Sequence, residues 1–130
     1  MILVDTHVVL WLAFAPKQIS RRAGTAIDEA RGNAEGLAIS DISLLELATL
    51  VSKGRIDLQI SLESFLQEIE SRFIVLPMNG RTCARATGLP ATFPKDPADR
   101  IIAATALVGG IALITADREI RKSRVVPTIW

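Results

Sequence analysis

The stretch Ile2-Leu3-Val4-Asp5-Thr6-His7 sets the frame for the whole chain. Three apolar residues in a row are too continuous for a strand with one wet face, so they read as a short strand buried on both sides. An acid ends the run, and a helical pattern follows over about residues 7–14. The same unit recurs: Leu37 to Ile39, Phe73 to Leu76, Ala112 to Thr115 and Val125 to Ile129 are further short apolar runs. Helical segments at about 20–31, 42–52, 61–71, 79–87 and 97–108 separate them. Alternating helices with fully apolar strands predicts an α/β chain whose mainly parallel sheet is covered on both faces. Several boundaries have mechanisms: Ser20 and Ser61 suit N-caps, Asp96 precedes a first-turn Pro97, and Gly109-Gly110 stops the last long helix. The loop Leu89 to Lys95, with two prolines, is the connection expected to be loose.

At 130 residues, 49% hydrophobic and 22% charged, the chain is long enough for one core and carries no repeat or low-complexity linker, so a single domain is read over 1–130. Its longest apolar runs are far short of the roughly 20 residues that cross a bilayer. No basic leader precedes the apolar stretch Val8 to Ala15, so no secretory signal is expected. The lone Cys83 makes no internal disulfide, which fits a reducing cytoplasm. One His and one Cys are too few donors for a usual zinc site. Any metal is therefore expected to be hard and held by carboxylates. Fifteen basic against fourteen acidic residues give +1, which advertises no nucleic-acid binder.

Four acids stand out: Asp5, Glu46, Asp99 and Asp117. Asp5 and Asp117 each follow a predicted strand and precede a helix, where an ordinary N-cap role is available. Asp96 and Asp99 fit the cap and third positions of one helix, where a carboxylate suits the dipole. Glu46 is different, because its helix carries Ile42, Leu44, Leu45, Leu47, Leu50 and Val51 around it. A helix apolar on nearly every side is expected to be mostly buried, and a buried carboxylate needs a partner: an Arg, a metal ion or a catalytic water. In a parallel sheet the carboxyl ends of the strands share one edge, where ligand crevices form. Acids from four segments meeting there predict a bound cation, and oxygen-only ligation suits Mg²⁺ or Mn²⁺.

The chain resembles the PIN-domain ribonucleases, specifically the VapC toxins of prokaryotic toxin–antitoxin pairs. The resemblance covers essentially its whole length. It is carried by Ile2 to His7, by Ser40-Asp41-Ile42-Ser43-Leu44-Leu45-Glu46-Leu47, by Asp96-Pro97-Ala98-Asp99-Arg100-Ile101-Ile102-Ala103-Ala104, and by Leu113-Ile114-Thr115-Ala116-Asp117. It implies a three-layer α/β/α PIN-like fold with four to five short strands. It also implies an acidic triad of Asp5, Glu46 and Asp99 with Asp117 as fourth acid, Asp96 as a secondary acid, and Thr6, Ser43 and Thr115 lining or bracing the pocket. Further implications are Mg²⁺- or Mn²⁺-dependent hydrolysis of RNA to 5′-phosphate and 3′-hydroxyl ends, a cognate VapB-type antitoxin, and a homodimer.

Around these acids, Arg81, Arg85 and Lys95 lie in the carboxylate-free stretch Ser71 to Lys95, and Arg118, Arg121 and Lys122 follow Asp117. They are candidates to hold RNA phosphates beside the crevice, or plain solvated faces. Arg100 is expected to pair with an acid in the fold. Cys83 reads as a small buried residue, Trp11 and Trp130 as core or interface, and His7 as filling space or contacting substrate near Asp5. A single histidine excludes an acid and base pair of histidines. The apolar helix around Trp11 and Leu12 suits either the core or a partner. Two other readings stay open: an Mg²⁺-binding phosphoryl-transfer or receiver-like domain, and a catalytically silent PIN binding module. His7 stands where dehalogenase-type phosphoryl transfer needs a second Asp, and Val75 to Met78 offers no acceptor Asp for a receiver. Setting aside Asp5, Glu46, Asp96, Asp99 and Asp117 leaves nine acids against fifteen bases, so the +1 is a basic remainder of +6 offset by a concentrated acidic pocket.

Overall fold

A computed structural model describes residues 1–130. Five parallel strands form one sheet in the order β3-β2-β1-β4-β5: β1 (Ile2–Val4), β2 (Leu37–Ser40), β3 (Ile74–Leu76), β4 (Leu113–Ile114) and β5 (Thr128–Ile129). Seven helices connect and flank them: α1 (Thr6–Phe14), α2 (Arg21–Gly32), α3 (Ile42–Ser52), α4 (Leu62–Arg72), α5 (Gly80–Thr87), α6 (Pro97–Gly109) and α7 (Arg118–Ser123). The sheet is entirely parallel, and a short 3₁₀ turn at Pro16–Gln18 adds to the elements expected from sequence.

The central strands β1, β2 and β4 are mostly apolar because both of their faces pack against helices, while the edge strands β3 and β5 are only partly buried. Val4, Leu37, Ile39 and Ile114 join one core with Val8, Val9, Ile27, Leu47, Phe65 and Ile69 from α1 to α4. Their neighbours Leu3, Ala38 and Leu113 join a second core with Phe93, Ile102, Ala103, Ala106 and Ile120. Period-two alternation across β1, β2 and β4 therefore distributes side chains between two dry faces. Each fully buried Leu or Ile contributes about 1.5–3 kcal/mol.

Capping fixes the helix starts. Ser20, Ser61 and Asp96 accept from backbone N–H groups of their first turns, and Gly110 ends α6 in the left-handed region at φ 63°. The expected caps hold, and Asn79, capping α5 through Thr82 N, joins them. Three expectations are corrected here. The Leu89 to Lys95 loop is tied down by Arg100, whose guanidinium donates to the carbonyls of Pro94, Ala86, Leu89, Pro90 and Phe93 at 2.9–3.4 Å and lies over the Phe93 ring. Arg100 thus pairs with backbone, not with an acid, because two prolines leave the loop too few N–H groups to satisfy its own carbonyls. Cys83 is exposed, since Thr82, Ala86 and Leu89 take the buried side of that segment.

Candidate active site

The sheet order reverses at β1: the chain moves to β2 and β3 on one side, then to β4 and β5 on the other. The crevice beyond the carboxyl ends of β1 and β4 lies at this switch point, where open α/β sheets bind ligands. Asp5 follows β1, and Thr115, Ala116 and Asp117 follow the paired strand β4.

Asp5 is 3% exposed, and each of its carboxylate oxygens accepts one hydrogen bond, which leaves a lone pair on each. Oδ1 accepts from Thr6 N at 2.8 Å, and Oδ2 accepts from Thr115 Oγ1 at 2.7 Å. Thr115 Oγ1 in turn accepts from Asp117 N at 3.1 Å, so one buried hydroxyl spaces the two acids. Asp5 also caps α1, but through the first helical N–H and not the usual second or third. Asp117 caps α7, with Oδ1 accepting from Ile120 N at 3.0 Å.

Glu46 reaches the same crevice from α3. Thr6 Oγ1 donates its one hydrogen to Glu46 Oε1 at 2.6 Å and so must accept from Ser43 Oγ, 2.8 Å away. Its partner is thus a hydroxyl, and no Arg or Lys lies within 4 Å of it; the chain's ion pairs are Met1 with Glu35 and Arg72 with Glu68. Burial raises the Glu46 pKa; the Thr6 hydrogen bond opposes this, and the charges of Asp5 and Asp96 add to it.

Asp99 carries the largest strain. Burial first, then the negative charges of Asp5, Asp96, Asp117 and Glu46, push its carboxyl from 3.8 up to about 7, with no hydrogen bond or cation in its favour. The structure thereby brings all five predicted acids into one electrostatic neighbourhood. Asp96 spends Oδ1 on capping α6 through Ala98 N and Asp99 N. No three acidic, His or Cys side chains are drawn together into a ready-made metal shell; mutual repulsion opposes closer approach. The all-oxygen donor set and the uncompensated charge nonetheless fit a hard divalent cation.

Sequence reasoning missed the part played by His7. Its Nε2 accepts from Ala116 N at 3.0 Å, which leaves the ring hydrogen on Nδ1, 3.5 Å from Asp5 Oδ2. The imidazole links the turn after β4 to the acid after β1, and behind it Trp11 and Trp130 stack, with ring centroids 5.0 and 5.6 Å apart in succession. The only sequence signal was a histidine two residues after the first acid. Of the basic candidates, Arg118, Arg121 and Lys122 line a shallow surface depression with Arg124, immediately beyond Asp117. Arg81, Arg85 and Lys95 are exposed, and Lys95 adjoins Asp96.

The PIN domain family model matches residues 2–125. Ribonuclease VapC22 of Mycobacterium tuberculosis (strain ATCC 25618 / H37Rv) is 39% identical over 123 residues, covering 95% of this chain and 92% of that protein. Among solved structures, VapBC2 from Rickettsia felis bound to a promoter DNA fragment superposes with a TM-score of 0.70 at 18% identity, covering 98% of this chain and 97% of that one. DNA-bound VapBC from Salmonella typhimurium gives 0.69 at 21% identity, with 98% and 97% covered.

Proposed function

The chain belongs to the PIN-domain family, and from that premise we propose that it is a VapC-type endoribonuclease toxin, dependent on Mg²⁺ or Mn²⁺ and restrained by a VapB-type antitoxin. The observation that carries this reading is the placement of Asp99: a half-buried carboxylate among four others with no Lys or Arg paired to it, a charge that a bound divalent ion would offset. Asp5, Asp99, Glu46 and Asp117 would hold the ion, with Asp5 and Asp99 as principal ligands and Asp96 secondary. When bound, it supplies charge neutralisation at the phosphate and an activated water.

The remaining work falls to the chain's own groups. Thr115 and Thr6 hold Asp5 and Glu46 in fixed rotamers, so little ordering is left when substrate arrives. Ser43 orients the Thr6 hydroxyl. Glu46 orients the attacking water, whose oxygen adds to phosphorus and gives up a proton to solvent as the bond to the 3′-oxygen breaks; the leaving 3′-oxygen takes up a proton, and the products are a 5′-phosphate and a 3′-hydroxyl. Arg118, Arg121, Lys122, Lys95, Arg81 and Arg85 are assigned to RNA phosphates on either side. The homodimer is assigned to the α1 face, where Phe14 is 52% exposed. No helix is long and apolar enough to cross a membrane, and a cytoplasmic setting accords with the toxin reading.

Antitoxin-free protein should cleave a mixed RNA pool in Mg²⁺ or Mn²⁺ and stop when EDTA is added. Cleavage that continues in EDTA would sink the mechanism. Tight inhibition by a co-expressed antitoxin is the second expectation, and its absence would leave a solitary nuclease.

A further inference from the structure

α3 does not bury itself as its composition suggests. Only Ser43 and Leu47 are fully buried, and Leu45 is 62% exposed although it is one of the most apolar residues of the helix. The reason is a second face. Ile42, Leu45, Glu46, Thr49, Leu50 and Lys53 follow at helical spacing, and this stripe walls an open groove of about 430 Å³ against Asp96, Pro97 and Ala98 at the start of α6. The groove changes character along its length. Glu46 and Asp96 stand at one end, Leu45 and Leu50 in the middle, and Lys53 with Arg55 at the other. Gly54, at φ 72°, turns the chain so that Arg55 N returns to Leu50 O, folding the Arg back to the helix end. Both cations are exposed, and neither has a carboxylate within 4 Å.

We propose that this groove seats the single-stranded RNA next to the scissile phosphate, with Lys53 and Arg55 as its phosphate anchors, an inference that rests on the ribonuclease reading above. From Glu46 to Lys53 is about 10 Å along the helix, roughly three stacked nucleotides at 3.4 Å each. A strand delivering one phosphate to the acids therefore lays its ribose and base faces on Leu45 and Leu50 and brings a later phosphate to the two cations. The surplus apolar surface of α3 and its two unpaired bases are explained together. A polypeptide fits the apolar middle alone; the two free cations at the distance of a neighbouring phosphate favour the nucleic acid.

The test uses the Asp99→Asn protein, which binds without cleaving, and a fluorescein-labelled ten-nucleotide single-stranded RNA followed by anisotropy across a KCl series in Mg²⁺. Adding Lys53→Gln and Arg55→Gln removes two phosphate contacts. The slope of log K against log salt should fall by about 1.4 and affinity near 0.1 M salt by about 25-fold. Both side chains are exposed, so the Tm should match that of the parent. Unchanged affinity and slope, with an Asp99→Asn parent that binds the RNA and a wild type that cleaves it, would overturn the groove assignment alone. Unchanged RNA binding with weakened antitoxin association would reassign it to a protein. A wild type that does not cleave RNA, together with an Asp99→Asn parent that does not bind it, would take the ribonuclease reading down with it.

Discussion

Replacing Asp99 by Asn removes the most strained charge in the molecule and should therefore stabilise the metal-free protein while abolishing its activity. A carboxyl raised from 3.8 to about 7 by burial and four like charges corresponds to roughly 4 kcal/mol of disfavoured ionisation if water is excluded. Asp99 is only half-buried, and solvent screening lowers this to roughly 2 kcal/mol. The helix dipole at the first turn of α6 favours the carboxylate by about 0.3–1 kcal/mol, leaving a net gain for Asn of roughly 1–2 kcal/mol. At about 2.1 cal/mol/K of unfolding entropy per residue, a chain of 130 residues should gain about 4–7 °C in Tm. The sign of the pH dependence follows from the raised folded-state value. Below 3.8 both states are protonated and Asp99 costs nothing; from there to about 7 only the unfolded state ionises, so the folded state loses stability as pH rises. The advantage of Asn should vanish near pH 4 and be complete at pH 8. Thermal unfolding in EDTA at both values checks this. A variant less stable than wild type at pH 8, or a difference equal at the two pH values, would refute the reasoning.

Thr6→Val removes the hydroxyl that lowers the Glu46 pKa, so Glu46 should shift further up and Mg²⁺ affinity fall about 10- to 100-fold by calorimetric titration. Arg100→Lys touches none of the acids yet should cost about 2–4 kcal/mol in urea unfolding, because an ammonium cannot serve five carbonyls at once. His7→Phe preserves the stack on Trp11 but loses the bond to Ala116 N, and should lower kcat more than it raises KM. Mg²⁺ at 100 times its Kd should stabilise wild type by about 2.7 kcal/mol in a thermal-shift assay and stabilise Asp5→Asn far less.

Where local chemistry decides the conformation, the chain was readable. Ser20, Ser61, Asp96 and Gly110 act within a few residues of themselves, and the element boundaries they set hold to within a residue or two. Asp5 and Asp117 were readable for a related reason: placed after short strands, they had to share the sheet's carboxyl edge once the sheet was parallel. Contacts between distant segments were not readable. Arg100 was expected to pair with an acid in the fold, but the carbonyls of a proline-containing loop took it. His7 was set aside because nothing local marks Ala116, more than a hundred residues away, as its donor. The open face of α3 was misjudged because apolar composition tells how much surface avoids water and not whether the core or a ligand covers it; Leu45 is the residue that makes the distinction.

Asp5, Glu46, Asp99 and Asp117 are proposed to act together through a divalent cation on an RNA phosphodiester. The most direct measurement is the end chemistry of RNA incubated with antitoxin-free protein, read by mass spectrometry with and without EDTA and beside Asp5→Asn. The expected products carry 5′-phosphate and 3′-hydroxyl ends that appear with Mg²⁺ or Mn²⁺ and are lost in both controls. Cleavage that survives EDTA, or products bearing 2′,3′-cyclic phosphates, would contradict this mechanism.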